Sequence, residues 1–509
     1  MTTGNLRQSM SSLHTWSGLL LGWLLYVMFV CGTIAYFQDE ITRWMQPEVA
    51  PARDQAEAVA GAQAWLEQNA RDAQSWFITP PGRRSAVTSV YWVPAKPGGD
   101  QRTSATLDGR GREVAARATA GGFFLYRMHF DLHYLPVIWA RYIVGIAAMF
   151  MLVAIISGII THKKIFADFF MLRFGKGQRS WLDAHNVSAV LALPFHLMIT
   201  YTGLVSLASL YAPAPMIAAF GNEDAYYAAA FPQGGDLVAS KARMPLAPLD
   251  AIVARAARTF GAREIGYLYV QLPGDRNARV AVTSSPAAGF DTRGETLVFD
   301  GTTGRQRAPL SQRGAAQVTE SVMIGLHAGR YAGLELRWLY FISGVFGTVM
   351  VATGLVLWTA KRRMRLSDPA RPPLGFRIVE RLNIGTIAGF PLGIAGYFLA
   401  NRLLPVALAD RPDREIAALF LSWGAAAFWA LIRPPQRGWR ELAAGAALAF
   451  AAVPLASLLT VGPSWSLAAR YGSPIYPAVD GAMAAAAVVA ALVARHKRTV
   501  RANVRRLSS

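Results

Sequence analysis

The chain has 509 residues, of which 53% are hydrophobic and 16% charged, with a formal net charge of +20 and a mean hydropathy of +0.27. This is too apolar for a soluble chain of that length and reads as a membrane protein; Lys and Arg cluster beside apolar spans, so the membrane surface accounts for the charge and nucleic acid does not. The one cysteine, Cys31, excludes structural disulfides and Cys-ligated iron–sulfur clusters, and without a C-x-x-C-H sequence any haem is held non-covalently.

Residues 1–16 are short and polar, with Arg7 and His14 ahead of a first apolar span at about Ser17–Phe37. That span is long enough to cross a bilayer, and no small-residue cleavage pattern follows it, so it reads as an anchor and not a removed signal peptide. From about Gln38 to Ala120 the chain is soluble in character. A helix is predicted over Asp54–Gln68, then strands near Trp76–Thr79, Ala86–Val93 and Thr103–Leu107, with an Asp108-Gly109 turn. The second span, about Tyr142–Thr161, ends in His162-Lys163-Lys164. A basic loop with Arg173, Lys176 and Arg179 leads to the third, Trp181–Gly203. As one continuous helix, this third span sets His185 and His196, 196 − 185 = 11 residues apart, on one face at about 16 Å. Pro194 is a kink candidate within it.

A second soluble stretch begins near Ala212 and repeats the order of the first: an amphipathic helix, about Pro248–Phe260, strands at Gly266–Leu272, Arg279–Thr283 and Glu295–Phe299, and an Asp300-Gly301 turn. A fourth span, about Leu339–Thr359, stops at Lys361-Arg362-Arg363. Four more are predicted at Ile384–Leu404, Ile416–Ile432, Leu442–Leu459 and Asp480–Ala494, with Arg433, Arg437 and Arg440 between two of them and a basic tail after the last. With eight spans every basic segment falls on one side, which the positive-inside rule makes the cytoplasm. The expected fold is thus a polytopic α-helical membrane protein of about eight transmembrane helices with two α+β inserts outside. Its parts are a first transmembrane helix (1–37), insert one (38–134), spans two and three with a basic cytoplasmic loop (135–211), insert two (212–336), span four (337–363), and a C-terminal four-helix module with a basic cytoplasmic tail (364–509).

The first four spans repeat. His14-Thr15-Trp16-Ser17-Gly18 and His185-Asn186-Val187-Ser188-Ala189 head spans one and three, and each reaches a glycine at the same offset, since 32 − 14 = 18 and 203 − 185 = 18. Spans two and four share an outer Arg (Arg141, Arg337), a late Ser157-Gly158 or Thr353-Gly354 pair, and an upstream histidine, His133 or His327. Two copies of span–insert–span, packed in parallel about an axis normal to the membrane, account for this pattern.

On this topology His14, His162 and His185 lie at the cytoplasmic edge, His129, His133 and His327 near the outer edge, His196 is deep, and His496 is in the tail. Imidazole is a common iron ligand, and histidine at membrane depth is a functional candidate. A six-coordinate haem needs two opposed ligands, and pseudo-symmetry offers His14 with His185 inside and His133 with His327 outside, giving two haems. Ligands at both interfaces would separate the irons by much of the ~30 Å hydrocarbon core. His196 therefore stays a rival ligand for the outer haem, as His162 does for the inner. For each histidine alone, an interfacial hydrogen-bonding role is the plain alternative. His129 and His133, at i and i+4, have zinc spacing, but the glutamate of H-E-x-x-H is absent. No cytoplasmic segment is long enough for a nicotinamide or flavin domain, so electrons must come from quinol or a separate donor protein.

Three stretches resemble the PepSY-associated transmembrane family: Leu13–Leu19 (LHTWSGL), Leu193–His196 (LPFH) with Thr202-Gly203, and Arg337–Gly344 (RWLYFISG) with Ala352–Leu355 (ATGL). The resemblance covers about Met1–Arg363, and the second insert resembles a PepSY domain. It implies a bacterial inner-membrane ferric-siderophore reductase with two b-type haems and both inserts in the periplasm, with His14, His185, His133 and His327 as leading ligands and His196 behind them. The expected activity is one-electron transfer across the inner membrane to a ferric siderophore or other ferric chelate, with both termini cytoplasmic and membrane lipid around the spans. Because PepSY domains are also linked to protease inhibition and sensing, the competing expectation is a non-enzymatic, membrane-anchored binding or regulatory protein acting on periplasmic peptides or proteases.

Overall fold

The computed structural model describes residues 3–50, 54–95, 103–162, 171–230, 237–261, 263–307 and 313–495; His496 and the basic tail lie outside them. In chain order the main elements are α1 (Thr3–Ala35), α2 (Gln38–Met45), α3 (Gln55–Asn69), β1 (Ala73–Thr79), β2 (Thr88–Pro94), β3 (Ser104–Leu107), α4 (Gly121–Asp131), α5 (Val137–Thr161), α6 (Gln178–Leu191) and α7 (Leu193–Ser206). There follow α8 (Leu249–Phe260), β4 (Ile265–Gln271), β5 (Arg279–Ser284), β6 (Thr296–Asp300), α9 (Ala315–Ala328) and α10 (Leu334–Arg363). The last are α11 (Leu374–Leu403), α12 (Arg411–Ile432), α13 (Pro435–Thr460) and α14 (Ile475–Arg495). The chain divides into a helical unit, built from residues up to Met45, Ala118–Tyr201 and those from Trp338 on, and a sheet unit of Gln46–Arg117 and Thr202–Arg337.

In the helical unit α1, α5, α10, α11, α12, α13 and α14 are each long and apolar enough to cross a membrane, and α6 with α7 makes an eighth span if the bent pair counts as one. That bend falls beside the kink candidate Pro194 and removes the same-face placement that a continuous Trp181–Gly203 helix would give. The axis turns by 68° at Ala192, so His185 and His196 do not share a straight face. Pro194 is the physical reason, since its ring lacks a donor and crowds the preceding turn; the helix restarts with His196 N donating to Ala192 O at 2.8 Å. α1 lies close against α10 because glycines face it. A Cβ on Gly344 would collide with Thr33, and one on Gly347 with Phe29, the small-residue contact that lets helices approach in lipid.

α11 contains one π turn, Ile384–Ala388, and such a turn frees carbonyls from the helical ladder. Gly385 O accepts from Trp423 Nε1 at 3.0 Å and Ile387 O from Tyr26 OH at 3.1 Å. Asn383, just before it, accepts from Trp23 Nε1 at 2.9 Å and donates to Leu355 O at 3.0 Å. The turn thereby ties α11 to α1, α10 and α12.

The two inserts do not form separate sheets. Their strands make one antiparallel sheet of order β3-β2-β1-β4-β5-β6, and α3 and α8 cover one face through Val59, Leu66, Ile252 and Ala256 against Trp76, Ile78, Leu268 and Val280. Alternate residues point to the other face, where Tyr91, Phe77 and Tyr269 stand in direct cross-strand register on β2, β1 and β4. Both predicted Asp-Gly turns form. Asp108 Oδ1 accepts from the amides of Arg110 and Arg112, and Asp300 Oδ1 from those of Thr302 and Thr303.

Asp300 Oδ2 also accepts from Arg307 Nη2 at 2.6 Å. Burial favours the neutral acid, but Arg307 and the Thr302 and Thr303 donors outweigh it and hold the carboxyl well below the usual carboxylate range. A carboxyl lowered on folding contributes stability that is present above its unfolded value of about 4 and is lost as pH falls through the folded value. Asp300→Ala is expected to weaken the β5–β6 hairpin by about 1–2 kcal/mol at neutral pH, read as faster amide exchange over residues 296–307. The parent's margin over the variant shrinks as pH falls below about 4.

Candidate functional site

Three of the candidate histidines sit where a neighbouring helix has no side chain. His14 on α1 makes a 2.8 Å hydrogen bond through Nδ1 to Ala154 O of α5, and a Cβ on Gly158, one turn further along α5, would lie 3.3 Å from His14 Cε1. His185 on α6 repeats this on α10, with Nδ1 2.8 Å from Met350 O and Gly354 3.1 Å from Cε1. His129 on α4 does the same on α1, with Nδ1 2.7 Å from Met28 O and Gly32 2.7 Å from Nδ1. In all three the accepting carbonyl precedes the glycine by four residues. Only an N–H can bond a carbonyl, so Nδ1 carries the proton and Nε2 keeps the lone pair, the arrangement that orients a metal-binding imidazole.

The repeat extends to hydroxyls. Ser17 and Ser188, three residues after His14 and His185, donate back to Leu13 O and Ala184 O, both at 2.7 Å. Ser157 and Thr353, each just before the glycine, donate to Val153 O and Val349 O, both at 2.6 Å. Buried hydroxyls are thus satisfied inside their own helices and do not compete for the rings.

The rings of His14 and His185 have their centroids 6.1 Å apart and are inclined by 69°. Two imidazoles bound to one metal from opposite sides, with metal–nitrogen bonds of about 2 Å, place their centroids about 6 Å apart. Donor type, ring separation and the carbonyls that orient each Nδ1 are compatible with a bis-histidine haem.

In the sheet unit His327, near the end of α9, has Gly203 beside it, where a Cβ would be 2.7 Å from Cε1, and Nδ1 lies 3.4 Å from Thr202 Oγ1. The connection between β5 and β6 holds α9: Asp291 accepts from Ser321 Oγ at 2.5 Å and Arg313 Nη1 at 2.9 Å, and Arg293 pairs with Glu320 at 2.7 Å. The rest of the expected set stands differently. His133 lies in the turn after α4, where Leu132, His133 and Tyr134 all have positive φ, and its ring packs against Phe124, Tyr134 and Phe420. His196 is fully buried beside Phe29 and Phe195. The carbonyls of Ser343 and Ala189 face it, but neither ring nitrogen meets hydrogen-bond geometry. His162 caps α5 and donates its amide to Gly158 O at 3.1 Å. Among the described residues no three His, Cys, Asp or Glu side chains gather as a metal-ion group, so the i, i+4 spacing of His129 and His133 lacks a third ligand.

Comparison with family models matches residues 11–361 to the PepSY-associated TM region. The chain belongs to this family. No curated protein matches it. The PepSY-associated TM region takes in both copies of span–insert–span and ends on α10, so α11–α14 lie beyond it. What the sequence alone hid is the service of the repeat glycines Gly32, Gly158, Gly203 and Gly354 as seats for His129, His14, His327 and His185, a pairing that needs helix-to-helix contacts. The sheet unit also carries a pocket of about 530 Å³ lined by Phe77, Thr79, Ser89, Tyr91 and Thr106. Gly32→Val is expected to lower stability by about 1–3 kcal/mol through overpacking against His129, seen as a lower thermal midpoint. Gly18→Ala, where a Cβ has open space, leaves the midpoint unchanged.

Proposed function

We propose that this member of the PepSY-associated TM region family is a b-type dihaem electron-transfer protein of the bacterial inner membrane that reduces a ferric siderophore or other ferric chelate on the periplasmic side. The observation that carries the reading is the His14–His185 pair, 6.1 Å between centroids with each Nδ1 on a backbone carbonyl. His14 and His185 would hold the inner haem. Ala154 O and Met350 O fix their tautomers, and Gly158 and Gly354 clear the space in which the rings stand. Toward the outer edge the shared seat favours His129 over His133, and His327 stands on a glycine of its own, Gly203; His196 and His162 then fall outside the ligand set.

Bound haem supplies a one-electron couple. Lys361, Arg362 and Arg363 end α10, Arg433 lies between α12 and α13 and Arg437 in the first turn of α13, so the positive-inside rule puts these ends in the cytoplasm and the sheet unit outside. The electron is drawn from quinol or a separate donor protein, and the ferric chelate is the substrate. Fe(III) becomes Fe(II), which hard oxygen ligands hold less tightly, and the metal is released.

The second reading, a non-enzymatic binding or regulatory protein, draws on the pocket and on the aromatic row of the sheet face opposite α3 and α8. A visible spectrum of the detergent-purified chain separates the two. Sharp low-spin b-type bands after reduction, with two haems per chain, support the first reading. His14→Ala or His185→Ala then removes one haem and His162→Ala neither. A colourless protein from haem-replete cells overturns this reading in favour of the second.

A further inference from the structure

Besides the bonds at the π turn and an apolar core that includes Tyr26, Phe124, Phe390 and Ile394, the four helices beyond the family match meet the rest of the helical unit through two buried charged clusters. Arg411 and Glu415, one turn apart on α12 and both fully buried, pair with each other, and Asn401 on α11 donates to Glu415 at 2.8 Å. Arg411 also donates to Asn401 O and Pro405 O, and three further bonds from α11 and α12 converge on one short stretch. Arg411 donates to Ala118 O at 3.0 Å, Glu415 accepts from Thr119 Oγ1 at 2.5 Å, and Tyr397 OH on α11 donates to Gly121 O at 2.8 Å. In the second cluster Arg402 donates to Trp44 O at 2.6 Å and lies 3.5 Å from the centre of its ring, while Trp44 Nε1 donates to Asp480 on α14 at 3.0 Å.

The held points are the start of α4 and the end of α2, and these two helices are themselves locked together. Thr42 Oγ1 accepts from Gly122 N at 2.9 Å, and a Cβ on Gly122 would collide with Gln38 O. His129 follows Gly121 by about two turns of α4. A module that only had to adhere could do so with apolar side chains at lower desolvation cost. Directional bonds to the carbonyls of Ala118 and Gly121 and to the Thr119 hydroxyl accept one depth and one rotation of α4.

We infer that α11–α14 are a positioning module: through Glu415, Thr119 and Tyr397 they set the depth and rotation of α4, and so the presentation of His129. The consequence for haem rests on the proposed function, whereas the mechanical coupling does not. The test uses the full chain carrying Tyr397→Phe with Thr119→Val, which removes two hydroxyls and leaves every charge paired. Amide exchange over residues 121–131 is expected to be about tenfold faster, with residues 178–191 unchanged. Haem per chain falls toward half the parent's, with no further loss when His129→Ala is added. Because Thr119 Oγ1 also accepts from Gly121 N at 3.1 Å, Tyr397→Phe alone, which leaves that local bond in place, must also accelerate exchange in residues 121–131. Unchanged exchange in α4, or equal acceleration in both segments, overturns the inference. If the double variant does not fold, Tyr397→Phe alone is judged by the same comparison. A colourless parent would remove the haem reading while the exchange result still decides the positioning role.

Discussion

An imidazole between membrane helices carries a ring proton that lipid cannot accept, and an unmet donor there costs several kcal/mol. In this chain a helix carbonyl takes that proton, and the missing side chain of a glycine one turn later lets the ring lie close enough to reach it. His14, His185 and His129 all depend on the contact. It fixes the helix–helix distances between α1 and α5, α6 and α10, and α1 and α4, because a ring of fixed size must span each gap. It also fixes which nitrogen is available for chemistry. The close approach of α1 to α10 at Gly344 and Gly347 and the back-bonded hydroxyls at Ser17, Ser157, Ser188 and Thr353 read as accommodations around these seats.

Much of this was legible in the sequence because it is local. Apolar runs of about twenty residues mark spans whatever surrounds them, and alternation between Trp76 and Thr79 or between Arg279 and Thr283 marks strands with one buried face. The glycines at matching offsets were legible too, as a pattern without a purpose. The choice between His129 and His133 was not. Both precede Arg141 at plausible distances, and only the three positive-φ residues at Leu132–Tyr134 turn His133 away from the helix surface that His129 occupies. The break at Ala192 was visible as Pro194, but its 68° size comes from tertiary packing that no window of sequence holds.

The shared sheet is the largest gap between sequence and structure. Each insert shows a helix, three strands and an Asp-Gly turn, which is enough to predict two small domains. Neither half buries both long edges of its own strands, however, and pairing β1 with β4 removes one exposed edge from each. Such pairing joins residues 269 − 77 = 192 apart, a separation at which local pattern carries no information.

The register of that seam has a symmetry of its own. Phe77 faces Tyr269, while Trp76 faces Val270 and Ile78 faces Leu268; the same offset separates the turn aspartates, 300 − 108 = 192. Residues equivalent under the repeat therefore exchange places across a central pair, which is how one patch meets its own copy in an isologous dimer. Each half thus presents at the seam an edge that its own copy would complete, so one self-complementary register closes both halves into a single sheet.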